Sequence, residues 1–139
     1  MPSSNRLLAS LSPDDFGLLE PHLESVTLGL RKHLERPNRR IEAVYFPEGG
    51  FASVVAVQPN GKQVEVGLIG REGMTGLPIV LGNHRSPHAT YIQSPGMGKC
   101  IAATELRKAT QRITSRLVIE VRAGVRRANN THRNLQRAV

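Results

Sequence analysis

The residues able to do chemistry in this chain are few and scattered. His84 and His88 stand four apart, the spacing that puts two metal ligands on one face of a helix. Pro87 lies between them and no third ligand is near in sequence, so the pair reads as loop histidines. Cys100, the single cysteine, follows Lys99, whose charge would lower a thiol pKa. A lone cysteine in a strand is more commonly a small core side chain. Glu65 and Glu72 flank a turn and could be drawn as an acid–base pair, but polar positions of a strand and a loop account for them equally well. Gly70, Gly73 and Gly76 recur at every third residue, which suits tight corners between strands. No Ser-His-Asp order, nucleotide-loop glycine motif or His/Glu metal set stands out. The expectation is a protein that is not an enzyme, with no catalytic residue, no metal and no cofactor.

Composition narrows the class. The chain has 139 residues, 39% hydrophobic and 22% charged, with no Trp, which fits one ordinary globular domain. Apolar runs such as Phe51–Val57 are far too short to span a bilayer. The N-terminal apolar stretch runs at once into Asp14 and Asp15, unlike a secretory signal. One cysteine allows no internal disulfide. A cytoplasmic location without membrane contact is expected. The formal net charge is +8, and its place in the chain matters. Residues 1–106 balance at ten bases against ten acids, whereas residues 107–139 carry nine bases and one acid, Glu120. A basic arm of that kind ordinarily meets nucleic acid.

The elements that must position these residues are short. Asn5–Leu11 reads as a helical turn. Ser12 is an N-cap for a second helix, with Pro13 at its first position, acids in its first turn and an apolar face of Phe16, Leu18, Leu19 and Leu23. Val26, Leu28 and Leu30 alternate as in a strand. Glu35–Arg40 reads as a turn and Ile41–Phe46 as a strand. Phe51–Gln58 and Gln63–Leu68 form a hairpin about Asn60-Gly61. Val54, Val55, Val57, Val64, Val66 and Leu68 are expected to supply inward core positions, and a charge at Val66 is expected to destabilise strongly. Leu77–Leu81 is a short apolar segment, His84–His88 a loop, and Ala89–Gln93 and Lys99–Ala102 are strands. Thr104 is expected to cap a final helix beginning at Glu105. Many short strands with Gly/Pro turns suggest a closed barrel or jelly roll.

Particular segments carry more than composition. NRLLASLSPDDFGLLEPHLE, IEAVYFPEGGFASVV, NGKQVEVGLIGREGMTGLPIVLG and IAATELRKA span Asn5 to Ala109. In them the chain resembles the sensor domain of the Crp-Fnr family of bacterial transcription regulators, in the branch whose barrel reads VYFPE and EVGLVGREGM. The resemblance implies a mainly β fold with flanking α-helices, a cyclic-nucleotide-binding-like double-stranded β-helix of the cupin type. It also implies a homodimer joined through a long helix after the barrel, and a C-terminal winged helix-turn-helix that reads DNA. The family's nucleotide cassette uses a Glu for the ribose hydroxyl and an Arg for the cyclic phosphate. Here Met74-Thr75-Gly76-Leu77-Pro78 stands in its place, with Gly76 at the Glu position. The Arg position falls on Pro87, and Arg85 lies two residues away, where it would serve another anion or sit solvated in a loop. The cassette-equivalent ligand-binding positions are therefore Gly76, Leu77, Arg85, Ala89 and Thr90. The effector is unknown, and tight binding of cyclic AMP is not expected.

The division expected is a sensor barrel over residues 1–110 and a basic tail over 111–139. The tail, TSRLVIEVRAGVRRANNTHRNLQRAV, holds no sustained heptad and no helix-turn-helix pattern. One permitted coding of Leu117–Val139, read one base over, yields LLLRYVQAFVVQTTHTAICNAR, an amphipathic stretch similar to the family's dimer helix. The tail is thus expected to be a frame-shifted remnant, poorly ordered and binding DNA only weakly, with the DNA-reading domain absent. The function expected is the sensor domain of a Crp-Fnr-like regulator, truncated and inactive as a regulator by itself. The alternative is a self-standing ligand-binding barrel whose basic tail touches nucleic acid or another anionic partner.

Overall fold

The structure is a computed structural model that describes residues 3–113. Its opening follows local rules. Helix α1 (Arg6–Ala9) is capped by Asn5, whose side chain accepts from the Leu8 amide. Helix α2 (Pro13–Leu19) is capped by Ser12, which accepts from the Asp15 amide at 3.2 Å. Such a cap contributes about 1 kcal/mol. Asn5 does more than cap: it is fully buried, and its amide donates to Pro47 O at 2.8 Å and Gly73 O at 2.9 Å. One side chain thereby fastens α1 to two distant segments.

A 3-10 turn (Glu20–His22) leads into β1 (Glu24–Leu28), β2 (His33–Glu35), β3 (Ala43–Pro47), β4 (Phe51–Val57) and β5 (Gln63–Ile69). Helix α3 (Leu77–Val80) interrupts the strands, and β6 (Ala89–Ser94), β7 (Gly96–Ala102) and α4 (Ala103–Thr110) complete the order. The strands form two antiparallel sheets, β1-β7-β3 and β2-β6-β4-β5. The mainly β architecture with flanking helices is the one expected, although the two sheets are not joined into one closed hydrogen-bonded barrel. The hairpin between β4 and β5 turns at Gly61, which alone of the Asn60-Gly61 pair takes a positive φ, +83°.

The main core lies between the helices and the three-stranded sheet: Leu8, Leu19, Val44, Phe46, Ile79, Ile101 and Leu106 belong to it. A smaller cluster of Leu28, Ala52 and Ile92 fills the space between the sheets. The expected apolar face of α2 packs against the main core through Phe16, Leu18, Leu19 and Leu23.

Several boundaries differ from expectation, each for a physical reason. β1 ends at Leu28, because the chain turns at Arg31 (φ 65°) and leaves Leu30 exposed. Leu77–Val80 is a helix. α4 starts at Ala103, not at a Thr104 cap, since the Ala103 amide finds its acceptor in Glu42 O at 2.8 Å. The larger correction is on β5. Val55 is buried at 4% exposure, but Val66 is 49% and Leu68 60% exposed, with Val57 and Val64 also open. β5 is the edge of its sheet, and its pairing with β4 steps from Val54↔Gly67 to Val55↔Glu65, so Val66 is bulged out of the ladder. Its apolar alternation faces outward among the described residues. Residues 114–139, with most of the basic tail and the run Leu117, Val118, Ile119 and Val121, lie outside the described residues.

This placement reverses the effect expected at Val66. Val66→Asp should change stability by no more than about 0.5 kcal/mol. Val55→Asp should cost several-fold more, because it buries an unpaired charge. Urea unfolding of both variants checks the register, and equal losses would contradict it.

Candidate functional site

The site begins with a strand irregularity. In regular β structure His33 and Glu35 would share a face. Here His33 pairs with Tyr91 and Glu35 with Thr90, so Leu34 is an extra residue bulged against β6. The bulge turns Glu35 inward while His33 stays exposed. Glu35 is 8% exposed, and its carboxylate has two partners from far along the chain. Gly76 N–H donates to Oε1 at 3.0 Å and Thr90 Oγ1–H to Oε2 at 3.2 Å.

Gly76 is held in place by its neighbour. Thr75 is buried, its amide donates to Tyr45 O at 2.9 Å, and its Oγ1 accepts from the Tyr45 amide at 2.9 Å. Two hydrogen bonds, one from the Thr75 amide and one to its hydroxyl, thus tie the 74–76 segment to Tyr45 of β3. Gly76 then turns with φ +71°, and a Cβ there would lie 2.4 Å from Val44 Cγ2. Of the three regularly spaced glycines, only Gly76 has a positive φ. It is the one position in the series where backbone conformation and close approach both require glycine.

These groups line a cavity of about 380 Å³. Glu35, Gly76, Thr90, Ser86 and His88 supply polar surface, and Val54, Ile69, Leu77 and Leu81 supply apolar wall. The volume suits a small ligand. Burial pushes the Glu35 carboxyl above its ordinary value of 4.5, and the two hydrogen bonds from Thr90 and Gly76 only partly oppose this.

The structure brings four of the five expected ligand-binding positions to this cavity: Gly76, Leu77, Arg85 and Thr90 line it. Ala89 is buried beside Thr90 at the start of β6 and is not part of the lining. Arg85 is on the wall, but its guanidinium Nη1 donates to Asn38 O at 2.6 Å in an exposed position. Glu35 was missed, since ERPNRR reads as a turn. No local pattern signals it: its partners are 41 and 55 residues away.

The other candidates are kept apart. Glu65 Oε1 accepts from Ser53 Oγ at 2.8 Å, while Glu72 pairs with Arg6 at 3.2 Å with both side chains exposed. They make no shared acid–base site. His84 Nδ1 meets Arg107 Nη2 at 2.6 Å, whereas His88 faces the cavity. Among the described residues no group of three His, Cys, Asp or Glu side chains could hold a metal. Cys100 is half-buried on β7. Burial raises its pKa first and Glu24 further, against the lowering effect of Lys32 and a Tyr45 hydrogen bond. Lys99, the neighbouring charge that would lower a thiol pKa, instead donates to Ser25 Oγ at 2.6 Å, in keeping with the reading of Cys100 as a small packing side chain. No helix among the described residues is long and apolar enough to cross a membrane.

No family model matches the sequence, and no curated protein matches it. Solved structures do. The catabolite activator protein of Thermus thermophilus matches at a TM-score of 0.70 and 14% identity, over 94% of this chain and 60% of that one. The sensor domain of the transcriptional regulator DNR from Pseudomonas aeruginosa matches at 0.69 and 16%, over 96% and 87%. A regulatory subunit of a cAMP-independent protein kinase A from Trypanosoma cruzi, bound to guanosine, matches at 0.73 and 13%, over 96% and 46%. The chain has the fold of Crp-Fnr-type sensor and cyclic-nucleotide-binding domains. It spans about three fifths of the Thermus protein and under half of the trypanosome subunit.

Two outcomes follow from this geometry. A pKa raised on folding means that the folded state holds the Glu35 proton more tightly than the unfolded chain does. Stability therefore falls as pH rises from 4.5 through the raised folded value, and the loss is fully present above it. Glu35→Gln, which keeps an acceptor for Gly76, should melt above the parent at neutral pH, and the gap should close on acidification. Thermal melts from about pH 4 to about pH 8 read this, and a gap that is constant with pH would refute it. Gly76→Ala combines a left-handed backbone with a collision against Val44 and should cost about 2–4 kcal/mol in urea unfolding.

Proposed function

We propose that this protein is the effector-binding sensor module of a Crp-Fnr-like transcription regulator, and that its effector is a small molecule other than cyclic AMP. It acts as a binding module and not as an enzyme, and it works in the cytoplasm. The observation that carries the reading is the cavity at Glu35, Gly76 and Thr90, a built and partly polar site in a regulatory-domain fold. Cyclic AMP is disfavoured on chemical grounds. Its phosphate would need a cation and free N–H donors. The Gly76 amide already serves a carboxylate, and Arg85 is engaged with Asn38 O near the surface. A fold neighbour named as cAMP-independent and bound to guanosine supports an effector without a phosphate. In the regulator, effector binding would bias the geometry of the 74–76 segment and pass to a DNA-reading domain.

Equilibrium dialysis against a bacterial metabolite extract, read by mass spectrometry, tests the proposal. At least one small molecule should concentrate with the protein and be lost with Leu77→Trp, which fills the cavity wall. Cyclic AMP should leave the melting temperature unchanged, although a ligand at 100 times its dissociation constant would add about 2.7 kcal/mol. No enriched molecule, or a saturable cyclic AMP response, would refute it.

A further inference from the structure

Glu35 is nearly buried and lines the cavity, and its partners among the described residues are neutral, one amide and one hydroxyl. Among the described residues no lysine, arginine or histidine forms a salt bridge with it. A carboxylate offers about four acceptor sites, and Gly76 and Thr90 use one on each oxygen. About two acceptor sites therefore remain for a cavity ligand. A buried carboxylate without a cation is under-compensated. The wall facing it includes Val54, Ile69, Leu77 and Leu81, which suit an apolar body. An anionic ligand would meet like charge at Glu35 and find the Gly76 amide taken.

We propose that this cavity takes a small organic cation, a protonated amine or amidine on an apolar body, with Glu35 as its anchoring residue. This deepens the sensor reading and rests on it. Glu35 accepts the ligand's N–H groups, and the charge pair supplies the compensation that the neutral partners lack. Thr90 and Gly76 hold the carboxylate oriented for this contact. Arg85 does not cancel the preference: its guanidinium is turned to Asn38 O in an exposed position, where water screens it.

A matched pair of probes tests the charge. Benzamidine and benzoate share a ring and differ in the sign of the attached group. The two are titrated into the whole chain to about 10 mM, a range that reveals dissociation constants near 1 mM, following the backbone amide resonances of Gly76 and Thr90. Benzamidine should move both resonances saturably, and benzoate should bind at least about tenfold more weakly, or about 1.4 kcal/mol. Glu35→Gln should abolish that preference while leaving the spectrum folded. The wild-type ratio stands as a test even if the variant does not fold. Benzoate binding as well as benzamidine would overturn the proposal, as would a benzamidine response that misses these amides. Guanosine binding more tightly than benzamidine would also overturn it, by showing that Glu35 reads uncharged donors. Those results would leave the sensor reading standing, since its own test is metabolite capture.

Discussion

The carboxylate of Glu35 is the point on which the candidate site depends. It joins the end of β2 to the amide of Gly76 and the hydroxyl of Thr90, across 41 and 55 residues of chain. A charged group can be kept at such depth only if its oxygens are satisfied and the surrounding backbone is held still. Each neighbouring feature answers that requirement. Leu34 is bulged so that Glu35 turns inward. Thr75 exchanges two hydrogen bonds with Tyr45, which fixes the approach to Gly76. Gly76 lies against Val44, where no larger residue fits.

The main core and the cavity are built mostly from different residues. The main core is made by the helices against β3 and β7, with Asn5 fastening α1 to the ends of two other segments. The cavity is walled by β2, β4, β5, β6 and the 74–90 region, and it meets the two core clusters through Met74, Leu77 and Ile69. Core burial can therefore hold the fold while the cavity keeps a group that is costly to bury.

The β4–β5 hairpin shows how a pattern is read correctly and assigned to the wrong face. Its strands and its turn at Gly61 stand where alternation and Asn60-Gly61 place them. Alternation reports that one face differs from the other, but not what covers it. The bulge at Val66 and the edge position of β5 leave Val64, Val66 and Leu68 outward, so the small inter-sheet core is Leu28, Ala52 and Ile92. Similarly, the regular glycines at 70, 73 and 76 gave no hint that only Gly76 turns left-handed.

Local chemistry by itself determined the capped helices at Asn5 and Ser12, the strand-rich middle and the hairpin turn. These rest on interactions within about four residues of each other, which are written in neighbouring letters. The cassette-like segment also placed Gly76, Leu77, Arg85 and Thr90 together through resemblance, and the structure sets all four on one cavity. Tertiary structure alone decided that Glu35 enters that cavity, that Arg85 turns to Asn38, and that Glu65 and Glu72 part company. The reason is physical. A one-residue bulge changes the face of a side chain without changing composition or period in any visible way, and a buried carboxylate is revealed only by donors that the chain brings from far away.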